Sequence, residues 1–307
     1  MQSILLGPSS IRVSRLSYGC WRIAENGEAD YAAAREAVLA AVDAGFTFFD
    51  HADIYCSGHS EIAFGRVLKE VKGLREKLVI ATKCGIRKPG EPAGAPVRYD
   101  FSKDYILSSC DASLQRLGVE TIDVYQLHRP DWLCDPYEVA HAFSKLRQSG
   151  KVKEFGVSNF SASQVAMLQA ALPFPIMSNQ MEISLTQLAA FTDGTLDQCL
   201  AQRMTPMAWS PLGAGLLADG AHSLLPGQKK YEPAHIVAAL DKMAKEMGIT
   251  RASLALAWLL KHPSKIVPIV GSANPARIHS SVNCLTVNLS REHWYTLLEA
   301  ARGEALP

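Results

Sequence analysis

Phe46-Thr47-Phe48-Phe49-Asp50 is a short apolar run that ends in a carboxylate, and runs of this kind decide the predicted fold. Seven further runs are similarly short and also lack strict polar alternation, which is typical of parallel strands buried on both faces. They cover residues 16–20, 78–83, 122–128, 152–158, 176–180, 205–210 and 266–271. With residues 46–50, the sequence predicts eight strands.

Helical patterns separate the predicted strands. They cover residues 31–44, 103–117, 137–149, 161–171, 194–203, 236–247, 251–262, 275–285 and 291–301. This alternation, without a Pro/Gly/Ser-rich linker, favours an α/β fold of the (β/α)8 TIM barrel type, with residues 1–307 as a single domain. A Gly-Pro-Ser-Ser turn at residues 7–10 predicts an N-terminal β-hairpin that closes the barrel floor. No GxGxxG motif follows an early strand, so a Rossmann fold has no support.

Composition and charge exclude several classes of function. The formal net charge of +1 argues against a nucleic-acid-binding surface or a polybasic membrane patch. The seven cysteines are scattered and contain no C-x-x-C pair, so neither a disulfide framework nor a zinc site is predicted. No signal peptide and no membrane span is predicted either. We therefore expect a cytoplasmic protein that binds no metal, membrane or nucleic acid.

Three polar residues, Asp50, Lys83 and His128, stand at the ends of consecutive predicted strands. The carboxyl ends of barrel strands are the usual place for catalytic residues. Tyr55 follows Asp50 by five residues and is within reach of the same patch. We expect these four side chains to converge at the mouth of the barrel.

The chemistry of these residue types gives a reason for the grouping. Lys83 ends an apolar run, so its ammonium group should be partly buried and should need a paired charge, which Asp50 can supply. A cation beside Tyr55 is expected to lower the pKa of the phenol from about 10. Tyr55 could then give a proton to a carbonyl oxygen, while His128 binds the same oxygen.

Several stretches of the chain resemble the aldo-keto reductase superfamily, and in particular a branch of bacterial oxidoreductases. They are residues 49–55, Ser60-Glu61, Gly65-Arg66-Val67-Leu68, Thr82-Lys83 and Gln126-Leu127-His128. The resemblance runs over nearly the whole chain. It implies hydride transfer from a nicotinamide ring, with Tyr55 as the general acid. It also implies that Lys83 and Asp50 tune this acid and that His128 positions the carbonyl group.

The resemblance further implies which residues bind the cofactor. The nicotinamide carboxamide would be bound by Ser158, Asn159 and Gln180. The ring of Trp209 would lie against the nicotinamide face. The loop that contains Ser210, Leu212 and Gly213 would follow the pyrophosphate.

The end of the last predicted strand indicates a phosphate site. Asn274 and Pro275 are residue types that begin a helix, and a helix start after the eighth strand suits a phosphate. Arg277 adds a positive fork beside Gly271 and Ser272. A phosphate on the adenosine ribose distinguishes NADP from NAD, so NADP(H) is the expected cofactor. Where the family commonly has Glu-Asn at the adenine, this chain has Ser280-Ser281.

The expected substrate is a small carbonyl compound, an aldehyde or a ketone, which is reduced to an alcohol. Trp21 and Trp132 follow the first and fourth predicted strands and are candidate walls of its pocket. Two long loops, residues 84–101 and 211–233, belong to the same face and are typical of lids or binding loops. The resemblance implies a monomer.

Two other functions stay open. One is a barrel metallohydrolase, whose ligands would be His51, Asp53, His59 and His128. It lacks a His-x-His pair and leaves Lys83 without a role. The other is a non-catalytic regulatory subunit that keeps the cofactor site, as some relatives of the family do. The complete set of four residues argues against that role.

Overall fold

The computed structural model of the protein describes residues 1–219 and 233–307. Its strands are, in chain order, β1 (Ser3–Leu5), β2 (Arg12–Ser14), β3 (Ser17–Gly19), β4 (Phe48–Asp50), β5 (Val79–Cys84), β6 (Ile86–Arg87), β7 (Arg98–Tyr99), β8 (Ile122–Leu127), β9 (Val152–Ser158), β10 (Ser178–Glu182), β11 (Thr205–Trp209) and β12 (Val267–Val270). Eight of them form a closed parallel barrel in the order β3-β4-β5-β8-β9-β10-β11-β12, and β12 pairs with β3. The predicted (β/α)8 barrel is confirmed.

Helices cover the outside of this barrel. They are α1 (Tyr31–Asp43), α2 (His59–Glu70), α3 (Lys103–Leu117), α4 (Pro136–Gln148), α5 (Ala162–Ala171), α6 (Thr195–Gln202), α7 (Ala234–Met247), α8 (Arg251–Leu260), α9 (Pro275–Ser281) and α10 (Arg291–Arg302). The largest boundary error is at α9, which was predicted over residues 275–285 and gives way to a 3₁₀ turn at Val282–Thr286. Ser161 caps α5 with a reciprocal capping box, as its residue type indicates.

The helix α2 was not predicted. Its inward face carries buried Ser60 and Glu61 among the apolar side chains, which breaks the apolar periodicity on which the helix predictions rely. Gly65 allows α2 to approach α3 closely, because a Cβ atom at this position would lie 2.6 Å from the carbonyl oxygens of Arg116 and Leu117. The glycine that weakens the helical pattern in the sequence is thus required by the packing.

An antiparallel hairpin of β1 and β2 closes the floor of the barrel, as predicted. Leu6 and Val13 from this hairpin are fully buried against apolar side chains of the barrel lumen. The lumen side chains in this cluster are Phe48, Ala81, Val124, Met177, Met207, Val267 and Ile269. Burial of such side chains contributes about 1.5–3 kcal/mol each to folding, so the floor is a stabilising end of the barrel.

The two predicted long loops, residues 84–101 and 211–233, differ from each other in structure. Residues 84–101 contain a short antiparallel hairpin of β6 and β7, so this loop has secondary structure of its own. Its basic side chains serve the loop itself, because Arg87 pairs with Asp100 and Arg98 donates to the carbonyl oxygen of Glu91. The second loop begins with a 3₁₀ turn at Gly213–Gly215, and most of its remainder, residues 220–232, lies outside the described residues.

The C-terminal helix α10 is fixed by a pair of tryptophans. The indole rings of Trp258 and Trp294 are stacked with centroids 5.0 Å apart, and each Nε1–H donates to the other residue's carbonyl oxygen at 3.0 Å. Trp258 therefore packs α8 against α10 and has no place in the barrel mouth. Among residues 1–219 and 233–307, no helix is both long enough and apolar enough to cross a membrane.

Candidate active site

The ammonium group of Lys83 lies at the centre of a buried polar cluster at the barrel mouth. Its Nζ donates to Asp50 Oδ2 at 2.8 Å, to the carbonyl oxygen of His51 at 2.7 Å and to the Tyr55 hydroxyl at 3.0 Å. An ammonium group has three N–H donors, so all of them are used. The Tyr55 oxygen accepts one of these bonds, and its own O–H proton is therefore directed elsewhere.

Strand register brings these groups together. Asp50 is paired with Ala81 on the neighbouring strand, and Lys83 lies two residues further along on the same face of that strand. Lys83 is fully buried and Asp50 is nearly so, so the cation requires a close counter-charge. Burial acts to lower the pKa of Lys83, but the charges and hydrogen bonds of Asp50 and Tyr55 outweigh it and raise that pKa above its ordinary value. Lys83 is therefore cationic at neutral pH.

The proton affinity of Tyr55 differs from the sequence-based expectation. Burial raises the pKa of Tyr55 above 10, Lys83 lowers it in part, and Asp50 raises it again. The expected fall in this pKa was wrong, because the apolar run before Lys83 revealed a buried cation but not the burial of the phenol itself. The consequence is favourable for a proton donor, since the hydroxyl stays protonated at neutral pH.

His128 lies directly beside Tyr55. It follows the last residue of β8, and its backbone N–H donates to the carbonyl oxygen of Cys84 at 2.8 Å. The two rings meet edge to face with centroids 5.7 Å apart. Burial, followed by the charges of Lys83 and Arg129, lowers the pKa of His128 well below its ordinary value, so the ring is neutral. Its Nδ1 has no hydrogen-bond partner in the part of the chain that the structure describes.

Gln180 reaches into this cluster from the far side of the barrel. Its strand was predicted to end at Gln180, but β10 runs from Ser178 to Glu182, so Gln180 lies in its middle. The side chain faces the lumen, and its Nε2 donates to Asp50 Oδ1 at 2.7 Å. Its predicted contact with a nicotinamide carboxamide stays a prediction.

Asn159 and Trp209 form a second polar group at the mouth. The Asn159 Nδ2 donates to the carbonyl oxygen of His128 at 3.2 Å and to Ser158 Oγ at 2.9 Å. The Trp209 Nε1 donates to Asn159 Oδ1 at 2.9 Å, which holds the half-buried indole at the end of β11. The predicted carboxamide and ring-face residues are thus brought together, although their roles stay predictions.

The predicted phosphate site, residues 271–277, is separate from the group formed by Asn159 and Trp209. The Asn274 side chain caps α9 by accepting from the Arg277 N–H at 3.1 Å, as predicted, but α9 has only seven residues. The Arg277 side chain is exposed, and no ion pair to it is present among residues 1–219 and 233–307. The Ser272 carbonyl oxygen accepts from Tyr18 at 3.1 Å, and Gly271 is exposed. Ser281, at the predicted adenine position, is buried and bonded to Ile278.

The loop after β11 contains the positions predicted to follow a pyrophosphate. Ser210 adopts a left-handed backbone with φ of 49°. At Gly213 φ is +57°, and a Cβ atom there would lie 2.9 Å from Thr186 Oγ1, so a larger residue would be strained. Leu212 is partly buried against the core.

The two candidate pocket tryptophans differ in position. Trp21 is 55% exposed, and its ring lies 6.4 Å from that of Tyr55, centroid to centroid. Trp132 is 88% exposed on the loop after β8. Both assignments to a substrate pocket stay predictions, and Trp21 has the observed contact with the candidate acid.

Sequence reasoning missed the interactions of two acidic side chains, Glu61 and Asp53, close to Tyr55 in the sequence. Glu61 on α2 accepts from Thr82 Oγ1 at 2.5 Å and from Arg116 Nε at 2.6 Å. Burial and the nearby Glu61 charge raise the pKa of Asp53 to about 7, and its Oδ1 has no partner within the described ranges. The Ser60-Glu61 pair in the motif was the available signal, but its inward direction depends on α2.

The residues of the metallohydrolase alternative do not form a metal site. Within residues 1–219 and 233–307, no group of three or more His, Cys, Asp or Glu side chains is arranged to hold a metal ion. His51 packs on Phe64, and burial and the charge of Lys83 lower the pKa of His51 to about 3.

Comparison with known proteins agrees with this geometry. A model of the "Aldo/keto reductase family" matches residues 15–302, and the chain belongs to this family of carbonyl-reducing oxidoreductases. Members of the family act on small molecules with a nicotinamide cofactor.

Among individual relatives, the chain is 44% identical over 308 residues to a 6-dehydroglucose reductase of Novosphingobium aromaticivorans, with 98% of this chain and 96% of the relative covered. It is 37% identical over 311 residues to the oxidoreductase YdhF of Escherichia coli, with both chains fully covered. The solved structure of a glycerol dehydrogenase from Gluconobacter oxydans matches with a TM-score of 0.87 at 27% identity, over 99% of this chain and 97% of that one.

Proposed function

We propose that the protein is an NADP(H)-dependent reductase of aldehydes and ketones in which Tyr55 is the general acid. The observation that carries this proposal is the saturation of Lys83. Because all three of its donors are used and one is accepted by the Tyr55 oxygen, the phenol has a proton to give and a cation to stabilise the phenolate that remains.

Each step follows from groups around the Tyr55 hydroxyl. A carbonyl oxygen bound between Tyr55 and His128 would receive a hydrogen bond from each, which polarises the carbonyl carbon. The nicotinamide supplies a hydride to that carbon when the cofactor is bound. As negative charge develops on the oxygen, Tyr55 transfers its proton, and Lys83 stabilises the phenolate until a proton from solvent replaces it.

The residues at the mouth fit a dinucleotide phosphate. Gly213 allows the tight left-handed turn of the loop against Thr186, and the Trp209 indole is held in place by Asn159. The Arg277 guanidinium, exposed and without an ion pair in the described ranges, supports NADP over NAD, since a planar fork of donors suits a phosphate.

The substrate class that we propose is an aldehyde rich in hydroxyl groups. Two relatives, from Novosphingobium aromaticivorans and Agrobacterium fabrum, are named 6-dehydroglucose reductases and are 44% and 39% identical to this chain. Hydroxyl groups of such a substrate would suit the polar mouth. We therefore propose 6-dehydroglucose as the first substrate to test.

The decisive experiment follows NADPH oxidation with 6-dehydroglucose and with simple reactive aldehydes, for the wild type and Tyr55→Phe. We expect turnover by the wild type and a loss of about 10²–10⁴-fold in Tyr55→Phe, the usual contribution of a general acid. Binding of NADPH, measured by fluorescence, should be unchanged. Equal rates for the two proteins would refute the role of Tyr55.

A parallel experiment tests the cofactor preference. Arg277→Ala should weaken NADPH binding by about tenfold, because one charge-assisted contact of about 1.5 kcal/mol is lost, and should leave NADH binding nearly unchanged. Lys261→Ala removes another surface cation and is the matched control. An equal effect on both cofactors would show that Arg277 does not read the ribose phosphate.

A regulatory role without catalysis is the second candidate. One relative, from Schizosaccharomyces pombe, is named a putative voltage-gated potassium channel subunit beta and is 30% identical over 301 residues. The intact contacts among Asp50, Lys83 and Tyr55 favour an enzyme. We further propose that the chain is a single domain and that it acts as a monomer in the cytoplasm. Light scattering of the purified protein tests whether it is a monomer.

A further inference from the structure

We infer that Gln180 is a positioning residue for the acid: through its bond to Asp50 it controls how tightly Tyr55 holds its proton. This inference rests on the proposed role of Tyr55. It goes beyond the predicted contact of Gln180 with a nicotinamide, because it assigns the glutamine a partner within the protein itself.

The bond between Gln180 and Asp50 crosses the barrel lumen. In the strand order, three strands separate β4 from β10 on either side, so these two strands stand opposite each other. Gln180 is nevertheless close enough for its Nε2 to donate to Asp50 Oδ1 at 2.7 Å. Both side chains are buried, with 2% exposure each. Through this bond, a residue of β10 affects the charged groups that surround Tyr55 on the opposite side of the barrel.

The two oxygens of Asp50 divide their roles. Oδ2 accepts from Lys83 at 2.8 Å, while Oδ1 accepts from Gln180. An amide donor disperses the charge of a carboxylate without adding a charge of its own. Gln180 thus weakens the negative potential that Asp50 exerts on Tyr55, and it leaves the Lys83–Asp50 pair electrically neutral.

Other titratable groups face this cluster from the surrounding elements. They are Cys20 after β3, His51 and Asp53 after β4, and His128 and Arg129 after β8. Burial raises the pKa of Cys20 and lowers the pKa values of both histidines, so these three are uncharged. Asp53, whose pKa is about 7, ionises in every variant, so an ionisation found only in Gln180→Glu belongs to the new carboxyl group.

Two substitutions separate this role from cofactor binding. Gln180→Leu removes the donor, so Tyr55 should hold its proton more tightly, and turnover at saturating NADPH should fall about three- to tenfold without a new ionisation. Gln180→Glu retains an O–H donor to Asp50 while it is protonated. Its activity should be near that of the wild type at low pH and should fall as the new carboxyl ionises beside Asp50.

Gln126 provides the matched control. It is also a buried glutamine of the lumen, but its Nε2 donates to Ser178 Oγ at 3.0 Å and not to Asp50. Ser178 lies on β10, two residues before Gln180. Gln126→Leu should leave the pH profile unchanged. Thermal unfolding of every variant, together with circular dichroism, shows whether each one is folded.

The experiment measures kcat and kcat/KM against pH for the wild type, Gln180→Leu, Gln180→Glu, Gln126→Leu and Tyr55→Phe, with NADPH saturating and its Kd determined separately. A new basic limb confined to Gln180→Glu supports the inference. Unchanged pH profiles with a weakened NADPH Kd in both Gln180 variants would overturn it, and Gln180 would then be a cofactor contact alone. An active Tyr55→Phe would instead overturn the proposed function, and this inference with it.

Discussion

The two ends of the barrel lumen are closed by opposite chemistry. At the floor, Leu6 and Val13 from a hairpin fill the lumen with apolar side chains. At the mouth, the lumen holds Lys83 and Asp50, a buried charge pair joined by Tyr55. Apolar burial lowers the free energy of folding, whereas buried charges cost desolvation that their pairing only offsets. Stability and chemistry are therefore provided at opposite ends of one barrel.

The strongest test of this division removes one charge at the mouth. Lys83→Met should lower the free energy of unfolding by about 3–5 kcal/mol, because it leaves the Asp50 carboxylate buried without its counter-charge. Carbonyl reduction should fall at least about 100-fold. Chemical denaturation and steady-state kinetics measure the two effects.

The double variant Lys83→Met/Asp50→Leu sharpens that test. With both charges replaced by apolar groups, most of the lost stability should return, since the desolvation penalty is gone. Activity should stay as low as in the single variant. Recovery of activity along with stability would contradict a chemical role for the pair.

A substitution at the floor should have the reverse pattern. Leu6→Ala leaves a cavity beneath the barrel and should lower the free energy of unfolding by about 2–5 kcal/mol. The kcat for reduction, measured well below the melting temperature, should stay within about twofold of the wild type. Leu5→Ala, on the half-exposed side of the same hairpin, is the control and should change stability by less than about 0.5 kcal/mol. A large loss of kcat in Leu6→Ala would break the division between the two ends.

The smallest effect concerns Asp53, behind the mouth. Its pKa is raised by burial to about 7 in the folded protein, whereas an unfolded aspartate has a pKa of about 3.9. Between about pH 4 and pH 7 the native state keeps a proton that the unfolded state has released. The free energy of unfolding therefore falls as pH rises through this window, and the loss is complete above it.

Asp53→Asn should remove this dependence. We expect the variant to be more stable than the wild type by about 1–3 kcal/mol at pH 8 and to differ little at pH 4. Denaturant titrations at both pH values measure the difference. Asp104→Asn, at the exposed start of α3, is the control. An equal gain at both pH values would mean that ionisation of Asp53 is not the cause.

The sequence was sufficient for the strands and for the grouping of Asp50, Lys83 and His128, because apolar runs and their polar ends are local patterns. It was insufficient for α2, whose inward Ser60 and Glu61 find partners on other elements. The bond of Gln180 to Asp50 joins two strands on opposite sides of the lumen, and no local pattern in the sequence reports a contact across the barrel.

The direction of the Tyr55 pKa was mispredicted for a related reason. The sign of that shift depends on the balance between burial and the charge of Lys83, and burial is a property of the whole mouth. A local pattern identified the charged partner but could not show how little water reaches the phenol.

The pairing of β3 with β12 has a consequence for how the protein is made. Tyr18 lies beside Val270, and Arg15 donates to the carbonyl oxygen of Ile266, so the barrel is closed by contacts between its first and last strands. On a ribosome, all four candidate catalytic residues emerge long before the strand that closes the barrel around them. Contacts this distant in sequence are associated with slow folding. A nascent chain would therefore expose its apolar strands until β12 had been made, which is a window for chaperone binding.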